Sequence, residues 1–532
     1  MQSDQLCLSI VARSAAIRPR ATYVIAQPAT LHHRPLACTR LTGHLGGYRS
    51  SPLEPLEHEV QADQSHQEFN WAKQWYPLAG VQDLQADRPN AFTLLGQKLV
   101  VWHDRNAAEG PAWRCFDDSC PHRRVPLSEG RIHDDGTLMC CYHGWRFDGE
   151  GQAVTIPALA EHQQQHDRVC CNANSSVAAH PVEVRHGLLF VWGEAGAMAF
   201  LESQSRPVPL GDIPSNVPED ELVSVYTNFT RDLPGPFDVW MENMVDQSHV
   251  AFAHHGPGGN RKGEVAGVYH QRPVTLSTPD QGFKYDFDWS ATSKKITKDT
   301  HFHFIPPCLS SFKLASGEGG LWIYAVPTNA FSTRLIINAG RQIKNQWLAR
   351  FFNGLIPRWL AHIQLNAIND GDVVYMHAQA KANLQAKLQH SGSFSWRKHY
   401  FLPGQNDRGV LAWRSWFENL AGGGPFSAQQ AEPDMYQTVA GLPDRRSLLS
   451  REHQHTQNCS ACRSALQRVQ IGQQAALAAA AGCFLAMSAQ LSHEGDTVPF
   501  AIGVVSALVV RVGLQQLEKQ FVFTDWVNQD KN

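Results

Sequence analysis

The sequence lacks the features that mark a nucleic-acid-binding protein or a small secreted protein. Its formal net charge is only -3 over 532 residues, and no long run of Lys and Arg follows the N-terminal segment, so we expect no nucleic-acid partner. Its 12 cysteines are too thinly spread for a disulfide framework, and several lie near histidines at metal-ligand spacing. A chain of this length with 43% hydrophobic residues can bury the cores of two or three domains, and a reducing compartment suits it.

Acidic residues are almost missing from the N-terminal segment. Residues 1–51 contain six arginines and a single acid, Asp4, whereas acids become frequent from Glu54 onward. An Arg-rich, acid-poor composition is typical of an organelle transit peptide, and the alternative is a disordered tail that carries no address. We expect residues 1–55 to form a transit peptide and a disordered lead.

Long apolar runs are missing until the C-terminal region, where two uncharged stretches read AALAAAAGCFLAMSA and VPFAIGVVSALVV. Each is shorter than the roughly 20 apolar residues that cross a bilayer squarely. Uncharged neighbours lengthen the first stretch, and Arg511 can extend the second by reaching the interface. We expect a membrane-associated helical hairpin over residues 471–516, with a soluble Ala-rich helix pair packed on the body as the alternative.

The region between the two ends predicts two folded domains. Apolar and β-branched stretches between turn residues predict a small all-β domain over residues 70–200, followed by a Pro-rich, acidic linker. Residues 215–450 predict an α+β domain with an early helical stretch, several long strands and a later helical stretch that Pro357 breaks or kinks. The predicted fold is therefore an N-terminal all-β domain, an α+β domain whose helices cover an antiparallel sheet, and the C-terminal hairpin.

Two short clips in the predicted all-β domain pair cysteine with histidine. Cys120 and His122 lie in CPH, and Cys140 and His143 lie in CCYH, with seventeen residues between His122 and Cys140. Each clip offers one thiolate and one imidazole, whereas a common zinc finger presents two cysteines and then two histidines. The mixture suits a Rieske 2Fe-2S centre, in which one iron takes both cysteines and the other both histidines. An unusual zinc site or incidental residues in turns are the alternatives, and the clip itself leaves Cys141 as a rival to Cys140.

A second group of metal-ligand side chains lies near the start of the α+β domain. The stretch ENMVDQSHVAFAHH supplies Asp246, His249 and His254. Asp246 and His249 are three residues apart and would share a helix face, and a helix end or wide turn near Phe252 would bring His254 to the same side. Two imidazoles and one carboxylate form the facial triad of non-haem Fe(II) oxygenases, which leaves positions open for dioxygen and substrate.

The third ligand of this triad must come from elsewhere in the sequence. The stretch NDGDVVYMHAQ offers Asp370 and Asp372 at the predicted end of a helix. We choose Asp372 as the ligand, with Asp370 as its competitor. The alternative for His249 and His254 is that they are ordinary surface or core histidines in a chain that contains 26 of them.

The remaining cysteines include one spaced pair near the C-terminus. Cys459 and Cys462 form a Cys-x-x-Cys within residues 451–470, which suggests a redox switch, and His453 and His455 nearby keep a zinc site open as an alternative. The other cysteines of the two domains are expected to be small buried hydrophobic residues rather than ligands; they are Cys115, Cys170, Cys171 and Cys308.

From about Asn70 to its C-terminus the chain resembles the Rieske non-haem iron oxygenases. The resemblance rests on Cys-x-His and Cys-x-x-His seventeen residues apart and on N-x2-D-x2-H-x4-H from Asn243, while the Cys-x-x-Cys and the apolar hairpin resemble the plastid branch. In this family the second clip is one residue longer than the first, which implies Cys140 as the ligand and a Cys141 side chain that points away. The implied cofactors are one 2Fe-2S cluster on Cys120, His122, Cys140 and His143, and a mononuclear Fe(2+) on His249, His254 and Asp372.

The resemblance also implies a reaction and a set of partners. Reduced ferredoxin would deliver electrons, and Asp246 would link a cluster-ligating His of a neighbouring subunit to an iron-ligating His within a homotrimer. The substrates would be dioxygen and a chlorophyll-derived tetrapyrrole, with pheophorbide a opened to a linear red product. The location would be the chloroplast, at the inner envelope or thylakoid membrane, and thioredoxin would act on Cys459 and Cys462.

Other interpretations of the same residues stay open. A related plastid oxygenase would act on protochlorophyllide or on linear phyllobilins. A redox-sensing component of the protein-import translocon would report plastid redox state without turnover. A plain Rieske electron carrier would need no second metal site, and the presence of His249, His254 and Asp372 argues against it.

Overall fold

The structure is a computed structural model. The predicted transit peptide and lead, residues 1–55, and residues 212–221 of the predicted linker lie outside the residues that it describes. The described residues are 69–211, 222–257, 268–271, 274–275, 277–290, 300–314, 319–342, 356–390, 394–426, 443–491 and 496–527.

The N-terminal part is made of short antiparallel strands, as the sequence predicts. The strands are β1 (Trp75–Gly80), β2 (Asn90–Leu94), β3 (Gln97–Asp104), β4 (Ala112–Asp117), β5 (Arg131–Ile132), β6 (Leu138–Met139), β7 (Arg146–Phe147), β8 (Ala153–Thr155), β9 (Ala179–His180), β10 (Val182–Arg185) and β11 (Leu188–Trp192). Helices α1 (Gln163–Cys170) and α2 (Ala197–Gln204) lie among and after them. The strands form three sheets with the orders β1-β11-β10, β2-β3-β4-β9 and β5-β6-β7-β8.

The apolar runs of this part explain which strands lie at its centre. Both β1, with the sequence WYPLAG, and β11, with the sequence LLFVW, are buried at every position, as expected for strands covered on both faces. The small sheet β5-β6-β7-β8 carries the segment between the two Cys-His clips, and a separate apolar cluster around Trp102, Phe116 and Phe147 supports it. The clips are therefore mounted on a core of their own.

The second part contains a seven-stranded antiparallel sheet with the order β12-β18-β17-β16-β15-β14-β13. Its strands are β12 (Leu222–Pro234), β13 (Val268–Gln271), β14 (Phe283–Ser290), β15 (Thr300–Ile305), β16 (Leu309–Leu314), β17 (Gly319–Asn329) and β18 (Ser332–Gln342). The long strands that the sequence predicts for this domain correspond to β14 to β18, and neither β13 nor β12 was predicted. Strand β12 buries Asn228 and Arg231, and polar residues at core positions hide the apolar alternation by which a strand is recognised.

Helices pack on this sheet and bring distant segments together. They are α3 (Phe237–Val245), α4 (Val250–Ala253), α5 (Arg358–Gln389), α6 (Trp396–His399), α7 (Arg408–Asn419) and α8 (Arg445–Leu448), followed by a π-helical turn (Glu452–Thr456). Helix α5 begins directly after Pro357, in agreement with the break predicted there, because a proline fits the start of a helix but not its interior. The α+β class and the antiparallel sheet are confirmed.

Two local predictions about these helices are wrong. The predicted helical stretch is divided, because α3 ends at Val245 and Asp246 follows it in an extended conformation, so Asp246 and His249 do not share a helix face. The short helix α4 then ends at Ala253, beside Phe252, so the helix end predicted there is present. Asp370 and Asp372 lie within the 32 residues of α5 and not at a helix end. The apolar spacing of the sequence continues to Gln389 and gives no signal that would separate the middle of this helix from its end.

The C-terminal region forms the predicted helical hairpin. Helices α9 (Ser460–Leu491) and α10 (Val498–Val522) extend beyond the predicted limits of residues 471–516 at both ends. Both are long and apolar enough to cross a membrane by length and composition. Only 11% of the apolar window of α9 and none of that of α10 is buried, so the outer part of the pair is not packed on the body.

Candidate active site

The two Cys-His clips lie in loops that close in the same way. The amide of Cys120 donates to the carbonyl of Val125, and the amide of Cys140 donates to the carbonyl of Trp145, both at 2.9 Å. In return the carbonyls of the two cysteines accept from the amides of Arg124 and Gly144. Arg124 and Gly144 both have positive φ, +59° and +70°, a left-handed conformation that favours glycine.

This equivalence bears on the choice between the two adjacent cysteines. Cys140 occupies in its loop the position that Cys120 occupies in the other, and both side chains are buried. Cys141 is exposed, so its side chain lies outside the space that the two loops enclose. The histidines are offset by one residue, since His122 is two residues after its cysteine and His143 is three.

The two imidazoles of the clips meet at the loop tips, and the two buried thiols interact with each other. The rings of His122 and His143 have centroids 4.5 Å apart, and His122 stacks on Trp145 with an interplanar angle of 7°. Burial, reinforced by the neighbouring Cys140, raises the pKa of the Cys120 thiol to about 11, so a free thiolate is unfavourable there and a bound cation would offset its charge. The donor set of two buried thiols and two imidazoles, with His122 exposed, fits a Rieske 2Fe-2S cluster whose histidine edge faces outward.

The second group of ligand side chains converges from two segments. His249 precedes α4 and His254 follows it, while Asp372 reaches them from α5. Asp372 Oδ1 lies 3.7 Å from His249 Nε2, and Asp372 Oδ2 lies 3.5 Å from His254 Nε2. One ligand atom from each residue lies within 4.8 Å of the others. Two imidazoles and a carboxylate on one side of a metal fit the facial triad of non-haem Fe(II).

Neighbouring groups orient this triad. His249 Nδ1 lies 2.5 Å from the backbone carbonyl oxygen of Asp246, so Nδ1–H donates there and Nε2 is left as the ligand atom. Burial lowers the pKa of His254, which keeps its imidazole neutral. The Asp246 carboxylate accepts from the amide and hydroxyl of Ser248 and lies 3.9 Å from His249 Nδ1. Asp246 therefore contacts His249 mainly through its backbone within this chain.

Asn243 is a further residue of this site. It belongs to the sequence motif, but no role was predicted for it. Its Nδ2 lies 3.3 Å from Asp372 Oδ1 and 3.4 Å from His249 Nε2. Its helix α3 is fixed from behind by the buried Glu242, which is bonded to Arg414 and Tyr400. A sequence signal was available, because Asn243 is the first residue of N-x2-D-x2-H-x4-H.

The competitor Asp370 lies apart from the triad. Its carboxylate contacts Arg231 Nη2 at 2.8 Å and Arg451 Nη2 at 2.6 Å. All three side chains are buried, and Gln454 Oε1 accepts two further hydrogen bonds from Arg231. Asp370 is therefore engaged in a buried ion network that joins β12, α5 and the start of the C-terminal segment.

The Cys-x-x-Cys pair lies in a buried pocket with two histidines. Cys459 and Cys462 are reduced, with exposed fractions of 3% and 1%. His455 and His362 are their neighbours, whereas His453 is exposed and bonded to Ser450. Hydrogen bonds from Cys462 and from the two imidazoles lower the pKa of the Cys459 thiol. His362 was not predicted as a member of this group, because it lies on α5, far from the two cysteines in the sequence.

The cysteines expected to be buried hydrophobic residues follow that prediction with one exception. Cys171 directly follows the last residue of α1 and is exposed, because the buried side of this helix ends with Cys170. The prediction for Cys171 is wrong. The other three are buried, namely Cys115, Cys170 and Cys308.

Comparisons with known proteins agree with this geometry. A family model described as the Rieske [2Fe-2S] domain matches residues 74–173, and one described as pheophorbide a oxygenase matches residues 304–390. The chain is 31% identical to the chloroplastic pheophorbide a oxygenase of Oryza sativa subsp. japonica, over 89% of this chain and 88% of that protein. It is 29% identical to the chloroplastic flavonoid 8-hydroxylase 2 of Ocimum basilicum, over 88% and 87%. It is 26% identical to the chloroplastic protochlorophyllide-dependent translocon component 52 of Arabidopsis thaliana, over 78% and 76%.

Proposed function

The chain belongs to the pheophorbide a oxygenase family of plastid Rieske oxygenases, and from that premise we propose that it oxygenates pheophorbide a and opens its macrocycle. The observation that carries the proposal is the convergence of His249, His254 and Asp372 in a chain that retains both Cys-His clips. An electron carrier or sensor without turnover has no need of a second, three-residue iron site.

The residues for each cofactor follow from their donor atoms. Cys120 and Cys140 would hold one iron of the 2Fe-2S cluster, and His122 and His143 the other. His249, His254 and Asp372 would hold the mononuclear iron. When bound, these centres supply single electrons and the activation of dioxygen.

The chain's own groups supply orientation around the iron site. The Asp246 carbonyl fixes the His249 ring through Nδ1, so that Nε2 points to the metal position. Asn243 Nδ2 donates toward the Asp372 carboxylate and restrains its rotation. A hydrogen-bonded outer shell of this kind holds ligands in place and tunes metal affinity.

Reduced ferredoxin is the proposed donor, and a homotrimer is the proposed assembly. One exposed and one partly exposed side chain support an electron path that crosses a subunit boundary. His122 lies at the surface, and 30% of the Asp246 side chain is exposed beside His249. An imidazole edge on one subunit and a carboxylate on the next are complementary hydrogen-bonding groups.

The hairpin supports a proposed seat in a plastid membrane. Near its base, Gln470 and Gln473 donate to the two carboxylate oxygens of Glu518 at 2.9 Å and 2.8 Å, which forms a polar layer. From Gln473 to Leu491 the helix rises about 27 Å, close to the roughly 30 Å of a bilayer's hydrocarbon core. Large apolar side chains are exposed above that layer, including Phe484, Leu485, Ile502, Val505 and Val509. A hairpin that spans the membrane accounts for these features better than one lying on the surface.

A substrate assay tests the proposal. Full-length protein with reduced ferredoxin would be mixed anaerobically with pheophorbide a and then exposed to 18O-labelled dioxygen. We expect loss of the macrocycle absorbance and a linear product that carries 18O. A His249→Ala variant should lose this activity together with the mononuclear iron, and it should keep the cluster spectrum.

A second candidate substrate class comes from the similarity to flavonoid 8-hydroxylase 2, which is nearly as great as that to pheophorbide a oxygenase. The same assay with a flavone, protochlorophyllide or linear phyllobilins separates these choices. Labelled flavone with unchanged pheophorbide a would contradict the tetrapyrrole proposal while leaving the oxygenase class intact. Thioredoxin as a partner of Cys459 and Cys462 stays a prediction, and it would require these buried thiols to become exposed.

A further inference from the structure

Four buried side chains outside the two iron sites form a compact tetrad. His362 comes from the first turns of α5 and His455 from the π-helical turn. Cys459 directly precedes α9, and Cys462 lies in its first turn. None of the four exposes more than 3% of its surface. One ligand atom from each lies within 4.8 Å of every other. We propose that His362, His455, Cys459 and Cys462 bind one structural Zn(2+) ion.

The distances within the tetrad match those of tetrahedral zinc. With Zn–S of about 2.3 Å and Zn–N of about 2.0–2.1 Å, a nitrogen and a sulfur ligand lie about 3.5–3.6 Å apart. His362 Nδ1 lies 3.4 Å from Cys459 Sγ and 3.6 Å from Cys462 Sγ. His455 Nε2 lies 3.2 Å from Cys462 Sγ. The ligand shell of a zinc ion is therefore already assembled.

Hydrogen bonds among the four groups are a poorer explanation of these contacts. A ring nitrogen carries either one hydrogen or one lone pair, yet His362 Nδ1 is approached by two sulfur atoms at nearly equal distance. A cation at the centre of the tetrad gives all four atoms the same partner. It also neutralises two thiolates in a place from which water is excluded.

The surroundings of His455 are those of a metal ligand. Its Nδ1 lies 2.6 Å from the carbonyl oxygen of Thr230, so Nδ1–H donates to that oxygen and the Nε2 lone pair faces the cysteines. Ligating histidines characteristically donate their second ring nitrogen to a carbonyl or carboxylate. The π-helical turn that carries His455 is a rare conformation that is frequent at functional sites.

The charge near the cysteines is also balanced for a divalent ion. Arg358 Nη2 donates to Cys459 Sγ at 3.2 Å and is paired with Asp83. Asp83 in turn accepts from the amide of Ser460 at 2.8 Å. The Arg358–Asp83 pair is neutral, and two thiolates with Zn(2+) are neutral as well. Binding of the ion would release the thiol protons to solvent.

The position of the tetrad gives the ion a mechanical role. His362 precedes the iron-site residue Asp372 on α5 by ten residues, a rise of about 15 Å. Cys459 and Cys462 open the helix that becomes the first arm of the apolar hairpin. The ion would therefore tie the helix that carries an iron ligand to the base of the hairpin. This role does not depend on the substrate of the oxygenase.

Metal analysis of the full-length protein, prepared without an affinity tag, tests the proposal. We expect one zinc atom per chain beside the iron, and X-ray absorption at the zinc edge should show two sulfur and two nitrogen ligands. A native protein without zinc, or zinc with no sulfur ligand, would overturn the proposal. So would a Cys459–Cys462 disulfide found after alkylation of protein denatured without reductant.

Matched variants locate the ion. Cys462→Ser and His455→Ala should lose the zinc, whereas Cys171→Ser and His453→Ala, which alter an exposed cysteine and an exposed histidine, should keep it. Zinc retained in both ligand variants would place the ion elsewhere and sink the assignment. If a ligand variant does not fold, the absorption spectrum of the unaltered protein still decides the question.

Discussion

Replacing Asp370 and Asp372 by Asn, one at a time, should separate two buried carboxylates that lie two residues apart on α5. Asp372 faces the imidazoles of His249 and His254, and Asp370 faces the guanidinium groups of Arg231 and Arg451. The first change removes a proposed iron ligand, and the second removes the only carboxylate that contacts both Arg231 and Arg451 among the described residues. We therefore expect one variant to fail in metal binding and the other in stability.

The magnitudes follow from burial. The side chains of Arg231, Asp370 and Arg451 expose 0%, 1% and 2% of their surface, and removing one partner of such an ion pair costs about 3–5 kcal/mol. Carbonyl oxygens of Gln454 and Gln520 also accept from these arginines, which favours the lower end. About 3 kcal/mol is a change of roughly 150-fold in the folding equilibrium. For Asp372→Asn in protein freed of mononuclear iron, we expect a change of no more than about 1 kcal/mol.

Iron analysis and thermal unfolding measure the two effects. Asp372→Asn should hold two iron atoms per chain instead of three, with the paramagnetic spectrum of the reduced cluster unchanged. Asp370→Asn should hold three, and it should unfold at a lower temperature and denaturant concentration than the parent. The reverse pattern, with iron lost from Asp370→Asn and stability lost from Asp372→Asn, would refute the assignment.

Three further changes test the clips, the proposed electron path and the hairpin. Cys141→Ser should leave the cluster spectrum intact, while Cys140→Ser should abolish it; equal damage from both would contradict the equivalence of Cys120 and Cys140. Asp246→Asn should keep three iron atoms per chain. In a single turnover with substrate and dioxygen, its reduced cluster should be oxidised about 10–100-fold more slowly than that of the parent, and an unchanged rate would remove the proposed role of Asp246. Val505→Asp and Val509→Asp change two exposed side chains of α10, and each charge should cost about 2.5–3.5 kcal/mol at a bilayer centre. The double variant should therefore move from the carbonate-resistant membrane pellet to the supernatant. An unchanged pellet fraction would argue against a spanning hairpin.

Local spacing was sufficient to predict most of the residues that the structure brings together. The clips and the motif from Asn243 to His254 are short segments, and their ligand order is visible in the sequence. The choice between Asp370 and Asp372 was not visible, because both are aspartates in one apolar stretch. Residues two apart on a helix are rotated by about 200° about its axis and therefore point to nearly opposite sides. Only the packing around α5 shows that Asp372 faces the histidines and Asp370 the arginines.

The Cys-x-x-Cys segment shows where sequence reasoning stops for this chain. A spaced cysteine pair is compatible with a redox switch and with a metal site, and two nearby histidines do not decide between them. The structure rejects His453, which is exposed, and selects His455, which the π-helical turn directs into the core. The fourth member, His362, lies 93 residues before His455 and has no local pattern that marks it. Because a switch needs thiols that a partner can reach and a structural zinc site needs ligands shielded from water, the burial of all four side chains favours the metal over the switch.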